Sequence, residues 1–191
     1  ASETAGRVLP LGQALREIAV APIGRLPAET LLFVNVHPLE VGDRLLDPKL
    51  EPAIAAVASR IVLEVTEGAA LGGFDKVRSV LKRVKALGFR IALDDLGAGY
   101  AGLNSLALLE PDFIKIDMEM LRGIGYSSRS ARLVRRITEF ADGEGMRVIG
   151  EGIETAEERA VVTDLGCHML QGYFFSRPAP PFVSVEIRSY G

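Results

Sequence analysis

Six short apolar, β-branched runs divide the chain: LLFVNV (31–36), RIVLEV (60–65), FRIALDD (89–95), FIKID (113–117), MRVIGE (146–151) and MLQGYFF (169–175). A strand with one wet face alternates apolar and polar residues. Most of these runs are too uniformly apolar for that, and they suit a parallel sheet covered on both sides. Helical patterns lie between several of them. In FDKVRSVLKRVKALG, Phe74, Val77, Val80, Leu81, Val84 and Leu87 form one stripe, and Gly88 is the expected stop. In SARLVRRITEFADGEG, Leu133, Val134, Ile137 and Phe140 predict a second stripe. TAEE (155–158) is a capping-box signature, with Thr155 as the cap and Glu158 three residues on, opening a helix that ends near Gly166. The order is βαβα, which predicts an α/β fold with a parallel sheet. The regularity lies in the pattern alone, without a sequence-level repeat.

Each apolar run finishes on, or just before, a polar residue: Asn35, Glu64, Asp94 with Asp95, Lys115 with Asp117, Glu151, and Gln171. From Asn35, counting Asp94 and Lys115, the intervals are 29, 30, 21, 36 and 20 residues, close to one βα unit. In a parallel barrel every strand opens at its C-terminal end on the same face, where barrel enzymes build their sites. The spacing therefore predicts one shallow bowl holding carboxylates, a carboxamide and a lysine. Carboxylates so gathered repel one another unless a cation holds them. Oxygen ligands without histidine or thiol suit Mg²⁺, Mn²⁺ or Ca²⁺ better than Zn²⁺. Adjacent aspartates can bridge two ions, and two ions can clamp a phosphate and activate a water. Metal-dependent phosphoester hydrolysis, or metal-mediated binding of an anionic ligand, is the chemistry these residues suggest. Taken alone, an acid at a strand end is more often a helix cap or a loop ion-pair partner, and Asp94–Asp95 before Gly97 suits a turn. Recurrence at six successive strand ends is what capping does not require.

Composition sets wider bounds. The 191 residues are 48% hydrophobic and 25% charged, a normal globular balance with no linker or low-complexity tract, so a single domain over 1–191 is expected. A net charge of −3 argues against a broad surface for a nucleic acid polymer. Cys167 is the single cysteine, which precludes an internal disulfide and fits a reducing, cytoplasmic setting. The N-terminal ASETAGRVLPLGQ has neither a basic n-region nor a long apolar stretch, so no signal peptide or membrane span is expected there.

LEVTEG, IALDDLGAGYAGLNSL, PDFIKIDMEML, VIGEGIETAEE and LGCHMLQGYFFSRPAP resemble, in order, successive motifs of EAL domains, and FVNV resembles that family's Val-Asn strand. EAL domains are bacterial phosphodiesterases that linearise cyclic di-GMP to pGpG. The likeness runs from about residue 8 to about residue 180. It implies a TIM-like (β/α) barrel, with Asn35, Glu64 and Asp94 as metal ligands and Asp95 on a second metal, the two ions being Mg²⁺ or Mn²⁺. It implies that Lys115 and Glu151 position and activate the attacking water. Glu154 would support the metal site from outside the ligand set, and Gln171 would contact metal-bound water. Glu67 would hold the loop after Asp95, coupling metal binding to dimerisation, and Asp117 would support Lys115. Cyclic di-GMP, a homodimer and signalling domains upstream are the partners it implies, with a cytoplasmic domain in a protein that could be membrane-anchored.

The sequence departs from the family pattern in two places. The Glu-Ala-Leu strand is absent, and so is the arginine beyond it that grips the substrate phosphate; residues 1–20 resemble the segment that follows them. Eight barrel units of about 30 residues make about 250, and six make about 180. The expectation is therefore a barrel incomplete at its N-terminus, with six of eight strands visible and apolar edges open. FVSVEIR (182–188) alternates like a strand and could cover an edge, where the family has a helix. In the loop, Leu96, Ala98, Ala101 and Gly102 stand where the family has phenylalanine, threonine and two serines. Three hydroxyls that would fix the loop or meet Glu67 are lost. These departures motivate an alternative: a catalytically impaired cyclic di-GMP receptor or regulatory scaffold.

Other conspicuous residues carry plainer readings. His37 and His168 read as surface or packing residues, and Cys167 as a small buried hydrophobe. RSARLVRR (129–136) reads as a solvated helix face, and Arg177 as half of a structural ion pair.

Overall fold

The structure, a computed structural model, describes residues 2–42, 45–49, 51–66, 74–97, 106 and 109–179. The chain divides into two compact units, one formed by 1–94 with 101–112 and the other by 95–100 with 113–191. The expected FVSVEIR strand, Glu67 and loop residues 98–102 lie outside the described residues. Among the described residues no helix is long and apolar enough to cross a membrane.

The first unit begins with helix α1 (Ser2–Val20) and carries strands β1 (Leu32–Val36), β2 (Ile61–Thr66) and most of β3 (Arg90–Leu96). Short helix α2 (Pro52–Ala55) precedes β2, and α3 (Phe74–Ala86) crosses from β2 to β3. The three strands are parallel neighbours in chain order. The expected α3 stripe is inward: Val77, Val80, Leu81 and Val84 are all at most 3% exposed. Gly88, at φ +97°, ends the segment in a left-handed conformation that suits glycine.

The second unit carries β4 (Phe113–Ile116), β5 (Arg147–Gly150) and β6 (Met169–Leu170), again parallel and in chain order. Helix α4 (Met118–Leu121) follows β4, α5 (Arg129–Gly143) leads to β5, and α6 (Ala156–Asp164) leads to β6. The capping box at α6 forms as the sequence predicts, with the Thr155 side chain accepting from the Glu158 N–H and the Glu158 side chain accepting from the Thr155 N–H.

Two elements differ from expectation. On α5 the inward face is Ala131, Val134, Ile137, Thr138 and Ala141, while Leu133 and Phe140 are 49% and 46% exposed. Small residues let the α6 exit come close. Thr138 donates to the Leu165 carbonyl at 2.6 Å, and a Cβ at Gly166 would stand 3.1 Å from the Thr138 hydroxyl. The last strand is two residues long, because beyond Leu170 the chain changes partners. The Gln171 carbonyl accepts from Ile153 N–H at 3.0 Å, and Phe174 N–H donates to the Ile153 carbonyl at 2.9 Å. The approach requires glycine at 172, where a Cβ would fall 2.1 Å from that carbonyl oxygen.

Helix α1 is built inside out. Its inward face places Arg16, 4% exposed, between Glu40 and Glu51, which are 5% and 4% exposed, while Leu11, Leu15 and Ile18 are exposed. Arg16 Nη1 donates to Glu40 at 2.5 Å, and its Nε and Nη2 donate to Glu51 at 3.0 and 3.2 Å. Burial disfavours the guanidinium charge, but hydrogen bonds and charge from the two carboxylates hold its pKa above the ordinary arginine value. Gly12 makes room for this group, since a Cβ there would lie within 1.9 Å of the Glu40 carboxylate. Two outcomes are expected in urea denaturation. Gly12→Ala, which in a helix interior ordinarily stabilises by about 1 kcal/mol, lowers the midpoint here. Arg16→Ala costs about 3–5 kcal/mol, because two carboxylates lose their buried counter-charge.

Candidate functional site

In the first unit the parallel register puts three of the predicted residues on one face. Asn35 stands opposite Glu64, and Asp94 opposite Thr66, one period of two beyond Glu64. Alternation along a strand puts residues two apart on the same side, so Asn35, Glu64 and Asp94 share that side. Glu64 and Asp94 are 7% and 8% exposed, and Asn35 is open to solvent.

The second unit repeats the arrangement. Lys115 pairs with Ile149, and Ile149 with Met169. Glu151 and Gln171, each two residues further on, therefore line up with Lys115. Lys115, 5% exposed, reaches Glu151 at 2.8 Å. The Glu151 N–H donates to the Ile116 carbonyl at 3.2 Å, and the Gln171 N–H to the Gly150 carbonyl at 2.9 Å, so both residues are seated by backbone just past their strands.

Asp95 reaches this group through its backbone. At φ +59° it is left-handed, a conformation aspartate tolerates better than most residues. A continued strand would send Asp94 and Asp95 to opposite faces. Asp95 takes this conformation inside β3, and one of its carboxylate oxygens lies within 4.8 Å of one on Glu151. Lys115 supplies one positive charge beside these two acids. Close carboxylates with an all-oxygen donor set fit a hard divalent cation better than a soft one.

Asp95 and Glu151 open on a cleft of about 380 Å³, also lined by Asp117, Glu154, Gln171 and Tyr173. Asp117 caps α4, accepting from the Glu119 N–H at 2.8 Å. Glu154 pairs with Arg122 at 2.7 Å on the cleft rim. Gln171 is exposed to the cleft. Behind the rim, burial disfavours the Glu158 charge. The N–H groups of Gly123, Glu154 and Thr155, with Arg122, nevertheless hold its pKa below the usual carboxylate range. This anchor ties the segment after Glu151 to the α4 exit. Arg177 lies over the Tyr173 ring, 4.6 Å from its centroid, a cation–π contact where an ion pair was expected.

The plainer readings hold for the histidines. His37 Nδ1 accepts from the Leu39 N–H at 3.1 Å. His168 Nδ1 accepts from the Val148 N–H at 3.0 Å, with its Nε2 3.0 Å from Asp142. In the basic helix face, Arg136 pairs with Glu139, and both are exposed. Sequence reasoning missed Arg16, Glu40, Glu51 and the Arg122–Glu154 pair. An arginine in a leucine-rich helix carries no signal of burial; only Gly12, unusual in a helix interior, hinted at a close approach.

The family model described as EAL domain matches residues 2–178. The cyclic di-GMP phosphodiesterase RocR of Pseudomonas aeruginosa is 30% identical over 78% of this chain, which spans 39% of RocR. The fold is similar to that of Klebsiella pneumoniae BlrP1 in its manganese complex with cyclic di-GMP, with a TM-score of 0.80 and 32% identity over 89% of this chain and 44% of BlrP1. It is also similar to the PaMucR phosphodiesterase in complex with c-di-GMP, with a TM-score of 0.82 and 28% identity over 94% of this chain and 81% of that one. This chain spans 20% of each of three mycobacterial relatives of uncharacterised function.

Cys167 stands apart from the site. It is 7% exposed, and burial pushes its thiol up to about 12 from 9.0. The thiolate is the reactive form. Iodoacetamide at neutral pH is therefore expected to label this cysteine in urea and leave it intact in the native protein. Since the folded pKa is the higher one, the thiol's contribution to stability is complete below pH 9.0 and declines as pH rises towards 12. Urea midpoints across that range, compared with those of Cys167→Ala, read the difference.

Proposed function

Because the chain belongs to the EAL domain family, we propose that residues 1–191 belong to one hydrolase domain that, in the full protein, linearises cyclic di-GMP to pGpG with divalent cations. The observation that carries this reading is buried Lys115 paired with half-buried Glu151, 2.8 Å apart, with Asp95 within 4.8 Å of Glu151 at the cleft. A lysine buried beside a carboxylate that also meets a second acid is a costly arrangement to keep unless the acids serve a ligand. The relatives add support, since RocR is a cyclic di-GMP phosphodiesterase and BlrP1 binds manganese and cyclic di-GMP.

In this reading Asn35, Glu64, Asp94 and Asp95 hold two ions, Mg²⁺ or Mn²⁺. Bound there, the ions supply charge neutralisation and Lewis acidity towards a phosphodiester. Glu151 takes the proton of the attacking water, whose oxygen bonds to phosphorus as the bond to the 3′ oxygen breaks. The 3′ oxygen leaves as a hydroxyl with a proton drawn from solvent, Glu151 returns its own proton to solvent, and the product keeps a 5′ phosphate. Lys115, 2.8 Å away, aims Glu151. Glu154, fixed by Arg122, adds negative charge at the cleft rim, and Gln171 offers a neutral amide to water. Asp117 supports Lys115 through the β4–α4 junction that it caps. Glu67 holds the loop after Asp95 and couples it to a homodimer. The reducing cytoplasm is the setting that the lone, buried thiol fits.

The test is conversion of cyclic di-GMP by the full natural protein. With Mn²⁺ the expected product is pGpG, and EDTA abolishes it. Glu151→Gln should lower kcat by about 10²–10⁴-fold while calorimetry finds nucleotide binding largely kept. A wild-type protein that binds the nucleotide without turnover would instead be the receptor that the altered loop suggests. A Glu151→Gln variant with normal kcat would remove Glu151 as the base.

A further inference from the structure

We propose that Glu40, held by Arg16, is a positioning residue that fixes Asn35 for metal binding; this rests on Asn35 being a ligand, as proposed above. Asn35 is the second-last residue of β1, and the chain leaves the strand through buried Val36 and then His37. The backbone N–H of His37 donates to Glu40 Oε2 at 3.0 Å. The other carboxylate oxygen of Glu40 takes Arg16 Nη1 at 2.5 Å. Glu40 thereby clamps the strand exit two residues past Asn35 onto α1, and Gly12 leaves the space for it. Glu40 and Arg16 are each at most 5% exposed, so the clamp is shielded from competing water.

Glu51 provides the internal contrast. It shares the same arginine and the same burial, but its backbone partner is the Leu46 N–H at 3.3 Å, away from the β1 exit. A role in holding the fold alone predicts similar consequences for losing either glutamate. A role in aiming Asn35 separates them. Partners bonded directly to ligand side chains typically alter metal affinity by about 10–100-fold when removed, and Glu40, which acts on Asn35 through the His37 backbone, belongs at the lower end of that range.

The experiment titrates Mn²⁺ alone into the full natural protein, by calorimetry, for wild type, Asn35→Ala, Glu40→Ala, Glu40→Gln and Glu51→Gln, with thermal midpoints measured alongside. Expected are a loss of apparent affinity of about tenfold or more for Glu40→Ala, a smaller loss for Glu40→Gln, and wild-type affinity for Glu51→Gln despite a lowered midpoint. Glu40→Gln carries the test if Glu40→Ala does not fold. Equal affinity losses for the two glutamates, or wild-type affinity in both Glu40 variants while Asn35→Ala binds weakly, would overturn the clamp alone. Mn²⁺ binding that is absent in wild type, or unchanged in Asn35→Ala, would overturn the ligand assignment itself, and the clamp with it.

Discussion

Parallel pairing is the constraint on which the rest depends. In a parallel sheet all strands end at the same edge, and side chains two apart share a face. In the first unit this register sets Asn35 level with Glu64 and sends Asp94 to the same side one period further on. In the second it sets Lys115 level with Ile149 and Met169, so that Glu151 and Gln171 emerge together just beyond the last backbone pairs. A slip of one residue in any pair would turn a polar group into the hydrophobic layer. The uniformly buried strand interiors, such as Val62, Leu63 and Val65 at 0%, oppose such a slip.

Ionisable groups are buried in both units, with different consequences. Arg16 between Glu40 and Glu51 lies in the first unit, with its hydrogen bonds directed to the carboxylates and onward to backbone N–H groups. Such a group is a weak source of net stability, because desolvation offsets much of the attraction. Its effect is geometric, since few positions of α1 and the β1 exit satisfy all of these bonds together. Lys115 is also buried, but its partner Glu151 is only half-buried, opens on a cleft and lies close to a second acid. The first arrangement lies wholly in the interior; the second meets the cleft.

The two aspartates that follow the central apolar run illustrate how local backbone decides chemistry. Strand alternation would send Asp94 and Asp95 to opposite faces. Asp95, left-handed at φ +59° within β3, departs from regular strand geometry, and its carboxylate lies within 4.8 Å of that of Glu151. Backbone in a sparsely populated region costs free energy and persists where surroundings or function require it. Aspartate followed by glycine two residues later is a sequence that accommodates such a conformation cheaply.

The sequence by itself determined the class of fold and the list of polar strand-end residues. Apolar runs of strand length, alternating with amphipathic stretches, leave few options other than parallel strands with helical crossovers, because burial period and chain connectivity are local properties. The stop at Gly88 and the box at Thr155 and Glu158 were legible for the same reason: a cap bonds to backbone a few residues away. Tertiary structure decided what local pattern cannot contain. Leu133 and Phe140 turned outward because Ala131, Thr138 and Ala141 allow a closer contact than large side chains would. The last strand stopped at Leu170 because Ile153 offered its backbone to Gln171 and Phe174. Arg16 went inward among leucines because its partners, Glu40 and Glu51, lie 24 and 35 residues away. Hydrophobic period reports which residues avoid water, whereas a buried ion pair depends on where distant segments meet, and only the folded chain brings those segments together.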